Sequence, residues 1–126
     1  MLIINARLLA ELSGGCGTSC GAVRVKNGKI SEVSSEELQA MAGEEVFDAE
    51  GKTLLPGLID LHTHITLLSG VGEKSKNEPM QLLIDAAEQA KRYLKYGYTT
   101  IRDCGSYDRV ANYVRDMIDR GLCEGP

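Results

Sequence analysis

The sequence predicts an α/β protein in two parts: short strands over residues 1–55, then alternating strands and helices over residues 56–126. Three observations lead there. Residues 1–55 break into brief apolar runs separated by glycine-rich turns. Residues 56–126 alternate between short apolar runs and stretches of helical period, the order strand, helix, strand, helix. With 43% apolar and 25% charged residues in 126, the composition is that of an ordinary folded chain, which excludes collagenous and wholly disordered classes.

Within the first part, Leu2–Leu9 is strand-like and the glycines at 14, 15, 17 and 21 mark a loop. Ala22–Val25 and Ile30–Val33 flank Asn27-Gly28, the strongest short-range hairpin signal. Residues 35–41 are expected to make one or two helical turns, capped by Ser34 or Ser35. Val46–Asp48 and Thr53–Leu55 are strands around a turn at Glu50-Gly51. The whole reads as an antiparallel sheet layer.

In the second part, Leu58–His64 resembles a strand buried on both faces. A polar loop over 65–77 follows. Glu78–Tyr96 is the best helix, capped by Asn77, with Met80, Leu83, Ile84, Ala87, Ala90 and Leu94 on its apolar face. Tyr98–Asp103 is the next strand. A second helix over Tyr107–Arg120 is capped by Ser106 and closed by Gly121. Such alternation implies parallel strands with crossovers, and two units do not close a barrel of eight, which takes about 250 residues. The chain is therefore expected to be the N-terminal piece of a longer protein, or to draw the rest of the barrel from elsewhere.

Fourteen Lys and Arg against 18 Asp and Glu give a formal charge of −4. That balance, without a basic cluster, argues against a nucleic-acid partner. No apolar run approaches the roughly 18 residues that cross a bilayer, so no membrane partner is expected. Arg7 interrupts the opening apolar stretch, which makes a poor secretory signal. The four cysteines, Cys16, Cys20, Cys104 and Cys123, are expected as free thiols in a cytoplasmic setting. Cys16 and Cys20 have CxxxC spacing, but no second pair follows to complete a zinc site.

The sharpest chemical feature is Asp60-Leu-His62-Thr-His64, which holds the only two histidines of the chain. On a strand, residues two apart share a face, so both imidazoles can converge on one cation. Imidazole suits zinc, and also iron, nickel or copper. Asp60 shares that face and is placed to orient a ligand from behind. An isolated pair of this type is more often exposed or structural. Its place at the end of a buried-type strand, introduced by Pro56-Gly57, favours ligation. Arg102-Asp103 reads as a brace for loops or, less simply, a substrate contact. The five tyrosines read as packing residues rather than a stacking platform. Lys74 and Lys76 read as a solvated patch, with a lid role open.

Leu54–His64, with its Leu-Pro-Gly-Leu-Ile-Asp-Leu-His-Thr-His run, resembles the first-strand signature of the amidohydrolase superfamily. Asp48–Thr53 resembles the lead-in strand, Gly97–Gly105 the second barrel strand and Gly121–Pro126 the segment before the third. The branch it resembles is imidazolonepropionase-like and Xaa-Pro dipeptidase (prolidase-like). The resemblance implies a TIM-like (β/α) barrel preceded by a small β-sandwich, with residues 1–55 in the sandwich and 56–126 as the first two barrel units. It implies a metal-dependent hydrolase that cleaves an amide or related C–N bond by a metal-bound hydroxide, acting on a small-molecule or dipeptide-like substrate. His62 and His64 match metal ligands, with one or two ions, most simply zinc, in the whole protein; Asp60 matches a structural position.

The departures are as informative. The family uses a bridging carboxylate, two further histidines and a late aspartate, and no histidine follows His64 here. Two imidazoles leave a tetrahedral site two ligands short. The chain alone is expected to be catalytically silent, with no catalytic residue assigned within it. Apolar strand edges left open predict a homo-oligomer. The competing reading is a non-catalytic assembly or binding domain with a relic HxH motif. A continuing reading frame rich in His, Lys and Asp favours the enzyme; a genuine stop after Pro126 and a stable fold favour the other.

Overall fold

A computed structural model of the protein describes residues 1–67 and 79–126. The chain divides into two compact units, Met1–Pro56 and Gly57–Pro126. The architecture is mixed sheet plus helices, the α/β class expected.

The first unit is one four-stranded sheet of β1 (Leu2–Leu8), β2 (Thr18–Lys26), β3 (Lys29–Ser34) and β4 (Val46–Asp48), in the order β3-β2-β1-β4. The β1–β2 and β2–β3 pairs are antiparallel, but β4 lies parallel to β1. The antiparallel layer expected from sequence is therefore a mixed sheet. The connection over residues 35–45 is long enough to carry the chain across to the far edge, which a tight hairpin could not do. Asn27 and Gly28, with φ of 52° and 72°, both take the left-handed conformation that a two-residue hairpin of this twist requires. Asn5, at φ 52°, bulges β1, and its side-chain amide donates to both oxygens of Asp48 at 3.0 Å. Ala6, Leu8, Val23 and Ala49 form the core.

No helix forms over residues 35–41. The reason is competition for their backbone groups. Arg24, buried in the sheet, donates to the Gln39 carbonyl at 2.7 Å and from Nε to Glu44 at 3.1 Å, and it also pairs with Glu32. The Met41 N–H donates to Glu44 Oε2 at 3.1 Å. This last bond, with Arg24 and the N-terminal ammonium adding, holds the Glu44 carboxyl below the usual range against the cost of burial. The Glu50 N–H and the Asn5 amide lower Asp48 likewise. A depressed carboxylate contributes stability that is complete above its unfolded pKa and lost as pH falls through the folded value. We expect the urea midpoint of this unit to be flat from pH 7 to about 5 and to fall below about pH 4. A midpoint unchanged at pH 3 would contradict that, and Arg24→Met should shrink the pH effect.

The second unit carries β5 (Leu58–Thr63), α1 (Pro79–Lys95), β6 (Tyr98–Asp103) and α2 (Val110–Asp119). β5 and β6 pair in parallel, Leu58 beside Tyr98 and Thr63 beside Asp103. Ile65, Leu82, Ala86, Ala90, Val110 and Val114 form the core, with Leu83, Tyr93, Ile101 and Ile118 packed against it. The α1 face turned to this core differs from the stripe read in sequence. Met80, Ile84 and Leu94 are exposed, because only the face toward α2 and β6 is covered. β5 is not buried on both faces: Leu58, Ile59 and Leu61 are 43%, 61% and 63% exposed. α2 starts at Val110, three residues later than expected, after Arg109 in the left-handed region; Ser106 Oγ still accepts the Ala111 N–H at 3.2 Å. Asn77, Glu78, Lys74 and Lys76 lie outside the described residues. No helix among the described residues is long and apolar enough to cross a membrane.

Candidate metal centre

His62 is the penultimate residue of β5, and His64 follows its end. Their ring centroids lie 5.2 Å apart at an interplanar angle of 66°. With a Zn–N bond of about 2.0–2.1 Å, each ring centre sits about 3.2 Å from an ion, and a tetrahedral angle separates two such centres by about 5 Å. The pair fits a shared cation on that measure. Both side chains are exposed, so solvent and solute reach them.

His64 is further constrained. Its Nδ1 lies 2.9 Å from the Gly105 carbonyl, which can only accept, so Nδ1 carries the hydrogen. That leaves Nε2 with a free lone pair, the arrangement of a metal-ligating histidine with an outer hydrogen bond. Asp60 touches the pair through the main chain: Oδ1 accepts the His62 N–H at 3.0 Å. Among the described residues no group of three or more His, Cys, Asp or Glu is gathered as a metal-binding cluster.

The two strand ends are stitched together. The Cys104 N–H donates to the Thr63 carbonyl at 2.8 Å, and Tyr107 N–H to Thr66 Oγ1 at 3.2 Å. Arg102 and Asp103 turn to different partners. Arg102 Nε donates to the Leu61 carbonyl at 2.7 Å. Asp103 accepts the Ile65 N–H on one oxygen and the Gly105 N–H on the other, each at 2.9 Å. The loop brace read from sequence is therefore Asp103 with backbone amides. In the sequence Gly105 only closes the Gly97–Gly105 segment; its bond to His64 joins positions 41 residues apart, which no local signal shows.

Tyr93 packs edge-on to Tyr98 at 5.5 Å beneath the strands. Burial, then the nearby charges of Asp60, Tyr98 and Asp103, push its phenol above the usual range, while a hydrogen bond with Thr63 opposes this. Tyr96, Tyr107 and Tyr113 are exposed. The four cysteines are free thiols; Cys16 packs against the first unit's core and Cys20 donates to Asn5 Oδ1 at 3.5 Å.

Two imidazoles at the end of a parallel strand, followed by a helical crossover, define an α/β protein with a strand-end histidine pair. Comparison with known proteins narrows the class. The chain is 33% identical over 114 residues to an adenine deaminase of Bacillus velezensis, covering 78% of this chain and 17% of that protein. It is 29% identical over 115 residues to an imidazolonepropionase of Bacillus cytotoxicus, covering 69% of this chain and 27% of that protein. Among solved structures, a Xaa-Pro dipeptidase with methionine bound in its active site superposes with a TM-score of 0.83 at 28% identity, covering 99% of this chain and 31% of the other. No protein-family model matches the chain. The chain is thus homologous to the prolidase-like and imidazolonepropionase-like amidohydrolases, and it spans less than a third of the length of these relatives.

Proposed function

We propose that this chain carries half of the metal site of a hydrolase that cleaves a C–N bond. Residues 1–55 belong to a small β-sandwich and residues 56–126 open a (β/α)-barrel. The observation that carries the reading is the His62–His64 pair at the strand end, with the Gly105 carbonyl holding the hydrogen on His64 Nδ1 and leaving the Nε2 lone pair free. The relatives support it, since deamination and dipeptide cleavage each break a C–N bond. His62 and His64 hold a divalent cation, most simply zinc, by imidazole nitrogen. Such an ion supplies Lewis acidity, making water a nucleophile near neutral pH and polarising a scissile carbonyl. Asp60 fixes the backbone that presents His62, and Gly105 fixes the ring of His64. The remaining ligands and the proton-handling group come from outside the described residues. The substrate class is a small molecule or dipeptide, and the setting cytoplasmic.

The test is an assay on a Xaa-Pro dipeptide, an imidazolone lactam and an aminopurine, with and without a chelator. A longer protein bearing this sequence should turn over one of them in a metal-dependent way, and residues 1–126 alone none. Turnover by the 126-residue chain alone would sink the half-site reading.

The exposed Leu58, Ile59 and Leu61 on β5 also favour self-association. We expect light scattering of the 126-residue chain to give a mass well above one copy. A monodisperse monomer would count against this.

A further inference from the structure

The carboxylate of Asp103 joins the two loops that converge on His64. One oxygen takes the N–H of Ile65, the residue just after His64; the other takes the N–H of Gly105. Gly105 then receives the His64 Nδ1–H on its carbonyl at 2.9 Å. The histidine is thereby held on two sides, through its own following peptide and through its ring's acceptor. A Cβ on Gly105 would lie 3.6 Å from the His64 ring, ordinary contact, so the glycine's part here is its backbone and not its small size. A carboxylate has two oxygens that both accept, which matches two converging N–H donors; an amide has only one.

We infer that Asp103 is a positioning residue for His64: its carboxylate fixes Gly105, whose carbonyl selects the imidazole tautomer and direction. This rests on the metal-site reading for its effect on metal affinity, but the tautomer is a property of the metal-free protein. Asp103→Asn keeps the shape while setting an NH2 against one of the two N–H groups. With Gly105 released, the His64 ring loses its fixed acceptor and reverts toward the Nε2–H form that free imidazole side chains prefer in water.

The experiment is long-range proton–nitrogen correlation of the histidine rings in the metal-free protein, at a pH where imidazole is neutral, followed by zinc titration. The wild-type protein should show His64 as Nδ1–H. Asp103→Asn should shift it toward Nε2–H and weaken zinc uptake roughly tenfold. Thr66→Val, which removes the acceptor for Tyr107 N–H in the same loop pair, controls for mere loosening and should leave the tautomer in place. A wild-type His64 in the Nε2–H form, an Asp103→Asn tautomer like wild type, or an equal shift in Thr66→Val each overturns the inference. If Asp103→Asn does not fold, Asp103→Thr carries the same expectation. If neither folds, Asp103 is a fold determinant and the inference fails. A correct tautomer in a protein that takes up no zinc would overturn the metal-site reading alone.

Discussion

His62→Ala and His64→Ala are each expected to abolish metal-dependent turnover in the protein that carries this sequence, with bound zinc falling in parallel. Each substitution removes one of the two imidazoles that this chain contributes, and no cluster of other donors among the described residues stands in for it. Loss of an outer partner costs about 10–100-fold in affinity or activity. Loss of a ligand should cost well more than that. Asp60→Asn should do much less, because Asp60 meets His62 only through the backbone N–H. Elemental analysis alongside kcat/KM decides the matter. Full zinc content and wild-type turnover in the double alanine variant would end the metal-site proposal.

Gly57→Ala is expected to destabilise the second unit by about 1–3 kcal/mol, as overpacking does in a close-fitted site. A methyl on Gly57 would overlap the side chain of Thr99, including its Cβ at 2.6 Å. The backbone has little freedom to yield. The Leu58 N–H donates to the Gly97 carbonyl at 2.8 Å, and Leu58 is paired with Tyr98. A branched side chain is stiff at its first torsion, so Thr99 cannot swing clear. The expected readouts are a lower urea midpoint and reduced zinc uptake, since β5 carries His62 and leads into His64. Thr99→Gly in the same background should restore part of both. An unchanged midpoint in Gly57→Ala would show that the strands part more easily than their hydrogen bonding implies.

The Asn27-Gly28 hairpin, the long helix before Gly97 and the strand at Tyr98–Asp103 were legible because their signals are local. The closeness of His62 and His64 follows in part from their spacing, but His64 lies just past the end of β5, so strand geometry alone does not set its ring; the Gly105 carbonyl does. What was not legible depends on partners distant in sequence. β4 is parallel because of where residues 35–45 lead it. Residues 35–41 lack a helix because Arg24 takes the Gln39 carbonyl. The apolar period of α1 predicts one continuous buried stripe, but only the part opposite α2 and β6 is covered. Asp103 read as a brace, yet its two amide donors come from positions 65 and 105, and no spacing rule links them.

The parallel pairing of β5 with β6 has a consequence for how the molecule is made. Leu58 cannot find Tyr98 until the intervening helix has been synthesised, whereas β2 meets β3 across two residues. Hairpins form in roughly 1–10 μs, and pairings between distant segments are slower because loop closure must come first. A growing chain therefore leaves the backbone edge of its histidine strand unpaired for as long as the ribosome takes to deliver the next forty residues. Chaperone demand and aggregation during expression should peak at that stage, and synonymous codons that slow translation just after residue 64 should worsen both.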